Sequence, residues 1–335
     1  MNKNEYNLGI QILRVFLSFM VVMDHFYNPD KLKKYIFFLY YHIPSFFLIS
    51  FYFAYNLFSS FNIQKIKLRI ERLLIPYIIW SIIGFILRNI YFYAFNSKNS
   101  HNFKALIKHI ITGHILNLAL WYMAILIFTT IVFVIIIFLF KKNYLLIFHI
   151  LTIIAYISQY SGLNYYINKE YLDVHACLTF GRFAEAFPNA VTGFTFASFN
   201  IIEKLKKYRI KSIFYSLVIL IMISKYNVFV SIQTFKYGNI RLNIAASCLF
   251  IIFSLFPLEN IKNKIAINTI KRLTSYTGGI YYMHYLVGNS LSIKRILNPL
   301  KGTVLYCVIL YLICYNICHF SLKIFRKTKL KYIFM

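Results

Sequence analysis

This chain has little acid. Nine Asp and Glu stand among 335 residues, against 37 Lys and Arg, and charged residues of both signs make up only 14%. Soluble globular proteins carry about 25%. With 60% hydrophobic residues, a soluble core in a chain of this length could not hide its apolar surface. Strand-type alternation is absent too, which favours a helical bundle over a barrel. Cysteines 177, 248, 307, 314 and 318 include no CxxC pair. Cys314 and Cys318 stand four apart on one helix, too distant for an unstrained disulfide. They read as small buried residues and not as metal ligands. The chain has no serine-nucleophile elbow, no HExxH and no phosphate-binding glycine loop. Hydrolase, metalloprotease and ATPase readings therefore have no motif to rest on.

What is there is a recurrence of apolar runs, each about 17 to 25 residues and long enough to cross a bilayer as a helix. The spacing predicts an all-α, polytopic membrane bundle of about ten spans. They fall near 8–27, 36–58, 73–95, 115–140, 143–160, 179–202, 212–230, 240–257, 276–292 and 303–321. Leu8–Tyr27 contains Arg14, Asp24 and His25 and no small-residue cleavage site, so it reads as a retained span and not a signal peptide. Connections are short, which predicts one transmembrane domain over 1–335. The net charge of +28 sits in those connections, as topology signals and attraction to anionic lipid would have it, so nucleic acid is not an expected partner. Segments such as Lys65–Arg72 and Lys204–Lys211 outweigh outer loops that hold Lys31, Lys33, Lys34, Lys294 and Arg295. The bias predicts both termini in the cytoplasm.

Ionisable groups inside an apolar helix are costly and need a partner or a task. Arg14 and His25 are eleven residues apart, within about 20° of three full turns and about 16 Å along the axis. Ser18 falls on the same stripe, and Asp24 points about a quarter turn away. The bland alternative is an arginine snorkelling to headgroups and an interfacial histidine. His42 opens the second span, with Pro44 suited to a first helical turn. Arg69 and Arg72 share a helix face and could grip phosphate bidentately. A stop-transfer cluster would look the same. Arg88 lies within the third span. Arg182 and Glu185, three apart, are placed to pair. Trp121 suits an interfacial aromatic belt, and His284 is either a satisfied core histidine or a second functional imidazole.

These pieces together resemble acyltransferase family 3, membrane proteins that include O-acetyltransferases acting on bacterial surface polysaccharides. The resemblance covers nearly the whole chain. It rests on the Arg-X10-His of Arg14 and His25, the Pro44–Ser50 run, and Arg69-x-x-Arg72 followed by Leu-Leu-Ile-Pro-Tyr. It rests also on Leu120-Trp121-Tyr122-Met123 and on Ile280-Tyr281-Tyr282-Met283-His284. Phe51 stands where the family commonly has glycine, so helix packing there is expected to differ. The fused extracytoplasmic esterase-like domain of some members is missing, which points to a stand-alone form.

The resemblance implies transfer of an acyl group, acetyl by default, from cytoplasmic acyl-CoA to a hydroxyl of a cell-surface glycan or its lipid-linked precursor. The setting implied is the bacterial cytoplasmic (inner) membrane, with membrane lipids around the chain and no metal. Arg69, Arg72 and Arg14 would hold the donor. His25 would act as general base or as an acyl-carrying nucleophile, and His42 or His284 would assist or substitute. A flippase or polymerase for lipid-linked saccharides, without acyl chemistry, is the competing reading.

Overall fold

The computed structural model describes residues 7–27, 41–94, 103–112, 120–160, 174–229, 240–258, 263–290, 297–325, 327–328, 331 and 334. Lys31, Lys33, Lys34, Lys294 and Arg295, and the side chains of Arg88 and Cys177, lie outside the described residues. Among those described, the chain is 90% helical with no strand.

A helix occupies each of the ten predicted segments: α1 (Leu8–Phe26), α2 (His42–Ser59), α3 (Ile63–Ala94), α5 (Trp121–Phe140), α6 (Tyr144–Tyr160), α7 (Val174–Ser198), α9 (Arg209–Phe229), α10 (Ile240–Leu255), α12 (Thr277–Asn289) and α13 (Val304–Phe325). Between them lie α4 (Phe103–Thr112), α8 (Ile201–Lys206) and α11 (Lys264–Ser275), which the apolar runs did not predict. Among the described residues, four helical stretches are long and apolar enough to cross a membrane: Leu8–Phe26, Ile63–Leu87, Trp121–Ser158 and Val304–Phe325. The surface carries what a soluble protein would bury. Phe138, Leu139, Ile153, Ile154, Ile157 and Met222 are all more than half exposed, an apolar exterior that suits lipid contact.

Helix α1 begins where the sequence supplies a cap and a small residue. Asn7 caps α1 by accepting from the Ile10 N–H, and its amide donates to the Ser254 carbonyl at the end of α10. That satisfies one of the orphan donors of the first turn. Gly9 makes the close approach to α10 feasible, because a Cβ there would meet the Phe253 carbonyl. Pro44 sits in the first turn of α2 as expected. Helix α3 starts ten residues before the predicted span, so the Lys65–Arg72 segment is itself helical.

The α2–α7 contact is the broadest helix pair, and small residues explain it. Gly193, Ala186, Ala190 and Ala197 of α7 are all buried, and Gly193 faces α2. A Cβ on Gly193 would lie 2.0 Å from the Leu48 carbonyl oxygen. The glycine that permits close approach is thus supplied by α7, while Phe51 of α2 points into an aromatic core. Its ring lies 4.3 Å from Phe133, which stacks on Phe148 at 4.2 Å. Polar groups join helices inside the apolar bundle. The Asn243 amide donates to Asn189 Oδ1 at 3.0 Å and to Thr192 Oγ1 at 3.1 Å, tying α10 to α7.

Helix α1 is surrounded. It packs on α2, α10, α11, α12 and α13. Its side-chain contacts climb α12 as they climb α1, so these two helices run parallel. Ser18 against Tyr311 and Tyr27 against Gly302 show α13 to run antiparallel to it.

Candidate functional site

The polar stripe of α1 faces inward. The half-buried Arg14 guanidinium donates to Gln11 Oε1 at 3.3 Å and to Thr277 Oγ1, at the start of α12, at 3.4 Å. Ser18 is buried, with Oγ 2.8 Å from the Tyr311 hydroxyl of α13 and a second bond to the Val15 carbonyl. The His25 ring centre is 5.1 Å from that of His284 and 5.7 Å from that of Tyr285. His25 stays exposed on its other side. Had these side chains turned outward to lipid, neither group could meet a substrate inside the bundle. They turn instead toward one helix, Arg14 at its start and His25 two turns further on.

His284 is fully buried. Its Nδ1 lies 2.6 Å from the Tyr281 carbonyl oxygen and 3.2 Å from that of Ile280. A carbonyl can only accept, so Nδ1 carries the proton, and in the neutral ring that a fully buried position favours Nε2 carries the lone pair. That Nε2 has no hydrogen-bond partner. His42 is buried at the opening of α2 and within electrostatic reach of His284. Three imidazoles from α1, α2 and α12 therefore share one region.

Arg69 and Arg72 part company. Arg69 Nη2 donates to Ser50 Oγ at 2.8 Å, and its Cζ lies 5.3 Å from the Phe51 ring centre and 5.9 Å from that of Phe58. Its Nε is buried without a partner. Arg72, one turn on, is exposed. Tyr122, buried against Phe47 and Tyr281, lies within electrostatic range of both Arg69 and Arg14. The two guanidiniums thus look onto a common interior.

The remaining candidates form a cluster between α5 and α7. Arg182 Nη1 pairs with Glu185 Oε2 at 2.7 Å, and the Arg182 Cζ sits 4.6 Å over the Trp121 ring. Trp121 is therefore the platform of a cation–π contact and not a bare belt residue. The Glu185 carbonyl also accepts from the Asn189 amide one turn further along α7.

Set beside known families, residues 7–330 match the family model described as the acyltransferase domain of acyltransferase family 3. The chain belongs to this family. No curated protein and no solved structure matches it. Acyltransferase family 3 membership makes acyl transfer the activity, and the family's membrane character agrees with the four spanning-length helices. Every motif segment read in the sequence falls inside the matched stretch.

Several groups at the site had no signal in the sequence. Thr277 is an ordinary helix hydroxyl until a folded partner brings a guanidinium to it; Ser50 closes a motif run, but nothing there indicated its bond to Arg69. Tyr122 did have one, since it follows Trp121 in a motif segment, but nothing there indicated its closeness to two arginines.

Proposed function

We propose that this family 3 acyltransferase moves an acetyl group from cytoplasmic acyl-CoA to a hydroxyl of a cell-surface glycan or its lipid-linked precursor. In this reading the chain crosses the bacterial inner membrane about ten times, with both termini in the cytoplasm. The observation that carries the proposal is the inward polar stripe of α1, which sets a guanidinium and an imidazole along α12 about 16 Å apart. That separation suits a donor entering from one leaflet and an acceptor from the other.

The donor's phosphates would be held by Arg69 together with Arg14. A buried guanidinium N–H without an acceptor, as at Arg69 Nε, is rare in a folded protein and fits an anion that arrives from outside. Arg72, exposed on the same helix, would meet the donor before it enters. His25 is the base. The acceptor oxygen attacks the thioester carbonyl carbon and its proton passes to a His25 ring nitrogen. The carbon–sulfur bond then breaks, and the departing thiolate is protonated as His25 returns to neutral. A base so placed contributes about 10²- to 10⁴-fold.

Two experiments test the reading. Mass spectrometry of surface glycans with and without the gene should show loss of an acetyl increment on an otherwise intact polymer. Loss of the whole polymer would favour the flippase or polymerase alternative. His25→Ala, at normal membrane levels, should lower acyl transfer by about 10²- to 10⁴-fold. Full activity would remove His25 from the chemistry.

A further inference from the structure

His284 has an arrangement that packing alone does not call for. Its ring is fixed by two carbonyl contacts from its own helix, both to Nδ1. The neutral tautomer this enforces leaves Nε2 as a bare acceptor at a position with no solvent exposure. Buried polar atoms are nearly always paired. A ring used only to fill space could be replaced by an apolar one without leaving such an atom behind. Among the polar rings beside it, which include Tyr281 at 6.0 Å, His25 lies 5.1 Å away centre to centre at a 37° tilt. That separation accommodates one direct N–H···N bond of about 3 Å between facing nitrogens. Apo sites often hold such bonds open until substrate docks.

We propose that His284 is the positioning residue for the base. The inference rests on the reading of His25 given above. When the acceptor hydroxyl docks, the His25 N–H donates to His284 Nε2. This fixes the His25 tautomer, so the opposite ring nitrogen turns its lone pair to the hydroxyl. As that nitrogen takes the hydroxyl proton, the imidazolium keeps its bond to Nε2, and His284 itself gains and loses no proton. His284 thus orients a neighbouring imidazole as a carboxylate does in other acyl-transfer sites, but with a neutral acceptor. A neutral partner suits a dry interior, where an ionised carboxylate would be costly to bury. Tyr285, edge-on to His25 at 5.7 Å, and Phe26, edge-on to His284 at 6.3 Å, frame the pair.

The test uses two amide variants of the full chain. In His284→Asn the amide N–H can still donate to the Tyr281 carbonyl, but nothing reaches the Nε2 position. In His284→Gln the longer side chain returns an acceptor there. Expected for His284→Asn is a kcat lower by about 10- to 100-fold, the cost of removing a group that orients a functional histidine. KM for donor and acceptor should stay within about twofold. His284→Gln should recover most of the loss. A readout independent of activity is carbethoxylation of His25 by diethyl pyrocarbonate, followed by peptide mass spectrometry. The rate should fall in His284→Asn and return in His284→Gln, because a hydrogen-bonded N–H makes the opposite nitrogen more nucleophilic. If His284→Asn does not accumulate, His284→Met fills the space without an acceptor and should lose kcat and labelling together. Wild-type kcat in His284→Asn, or equal losses in Asn and Gln variants with His25 labelling unchanged, would overturn the proposal. An active His25→Ala would instead overturn the role of His25 as base. An inactive His25→Ala beside a fully active His284→Asn would sink only the inference about His284.

Discussion

Replacing Arg69 by Met keeps an unbranched apolar stem and removes the guanidinium. The side chain loses a 2.8 Å bond to Ser50 and contacts with the rings of Phe51 and Phe58. It is also relieved of a buried Nε with no partner. Each cation–π contact is worth about 0.5–1 kcal/mol or somewhat more when desolvated, and burying a charge costs at least as much in the other direction. Stability should therefore move little, by no more than about 2 kcal/mol. Binding should move a good deal. One charge-assisted hydrogen bond to a donor phosphate contributes about 1.5–3 kcal/mol, which is about 10- to 150-fold in the donor concentration needed. The assay is the rate of acyl transfer in membrane vesicles as acyl-CoA is varied. Arg69→Met should raise the donor KM by that factor with the unfolding midpoint shifted only a few degrees. Arg72→Ala, at the exposed position one turn on, should have a clearly smaller effect, and raising ionic strength should abolish it first. Equal donor dependence in wild type and Arg69→Met, at equal protein level, would refute the assignment. So would a larger effect at Arg72 than at Arg69.

Gly193→Ala puts a methyl 2.0 Å from the Leu48 carbonyl oxygen. Backbone cannot swing aside as a side chain does, so α2 and α7 must part. The expected cost is about 1–3 kcal/mol, read as a lower midpoint of thermal unfolding in detergent. An unchanged midpoint would show that the pair is loosely packed. Glu185→Gln leaves the Arg182 guanidinium stacked on Trp121 without its carboxylate. The pair is mostly but not wholly buried, so the expected loss is about 1–2 kcal/mol, between the exposed and buried limits. Calorimetry or denaturant unfolding checks it, with Arg182→Ala and the double variant completing the cycle.

A helix in each of the ten apolar runs was legible because such a run announces itself directly in the sequence, although only four helical stretches among the described residues reach spanning length. The α1 stripe was legible because eleven residues return a helix to almost the same face, so Arg14, Ser18 and His25 had to share a direction. What they would face was not legible. Thr277 is 263 residues from Arg14, and Tyr311 is 293 from Ser18. No local pattern encodes such partners. The Arg69–Arg72 pair shows the limit of periodicity: three residues place both on one side of α3, yet only Arg69 enters the bundle. Helices α4, α8 and α11 escaped notice for a different reason. They are 10, 6 and 12 residues long, too short to read as membrane spans. His284 was visible as a residue and invisible as a chemical species, since its tautomer depends on which carbonyls its own helix turns toward it.

Helix α1 is made first and completed last. Its cap needs Ser254, its arginine needs Thr277, and its serine needs Tyr311. At about 5–20 residues per second of synthesis, some 15 to 60 seconds separate the emergence of this helix from that of its final neighbour. For that interval a guanidinium and two hydrogen-bonding groups must be tolerated in a half-made assembly. A nascent chain stopped before residue 254 would lack all three of these distant partners, and such a fragment is a natural target for membrane proteases.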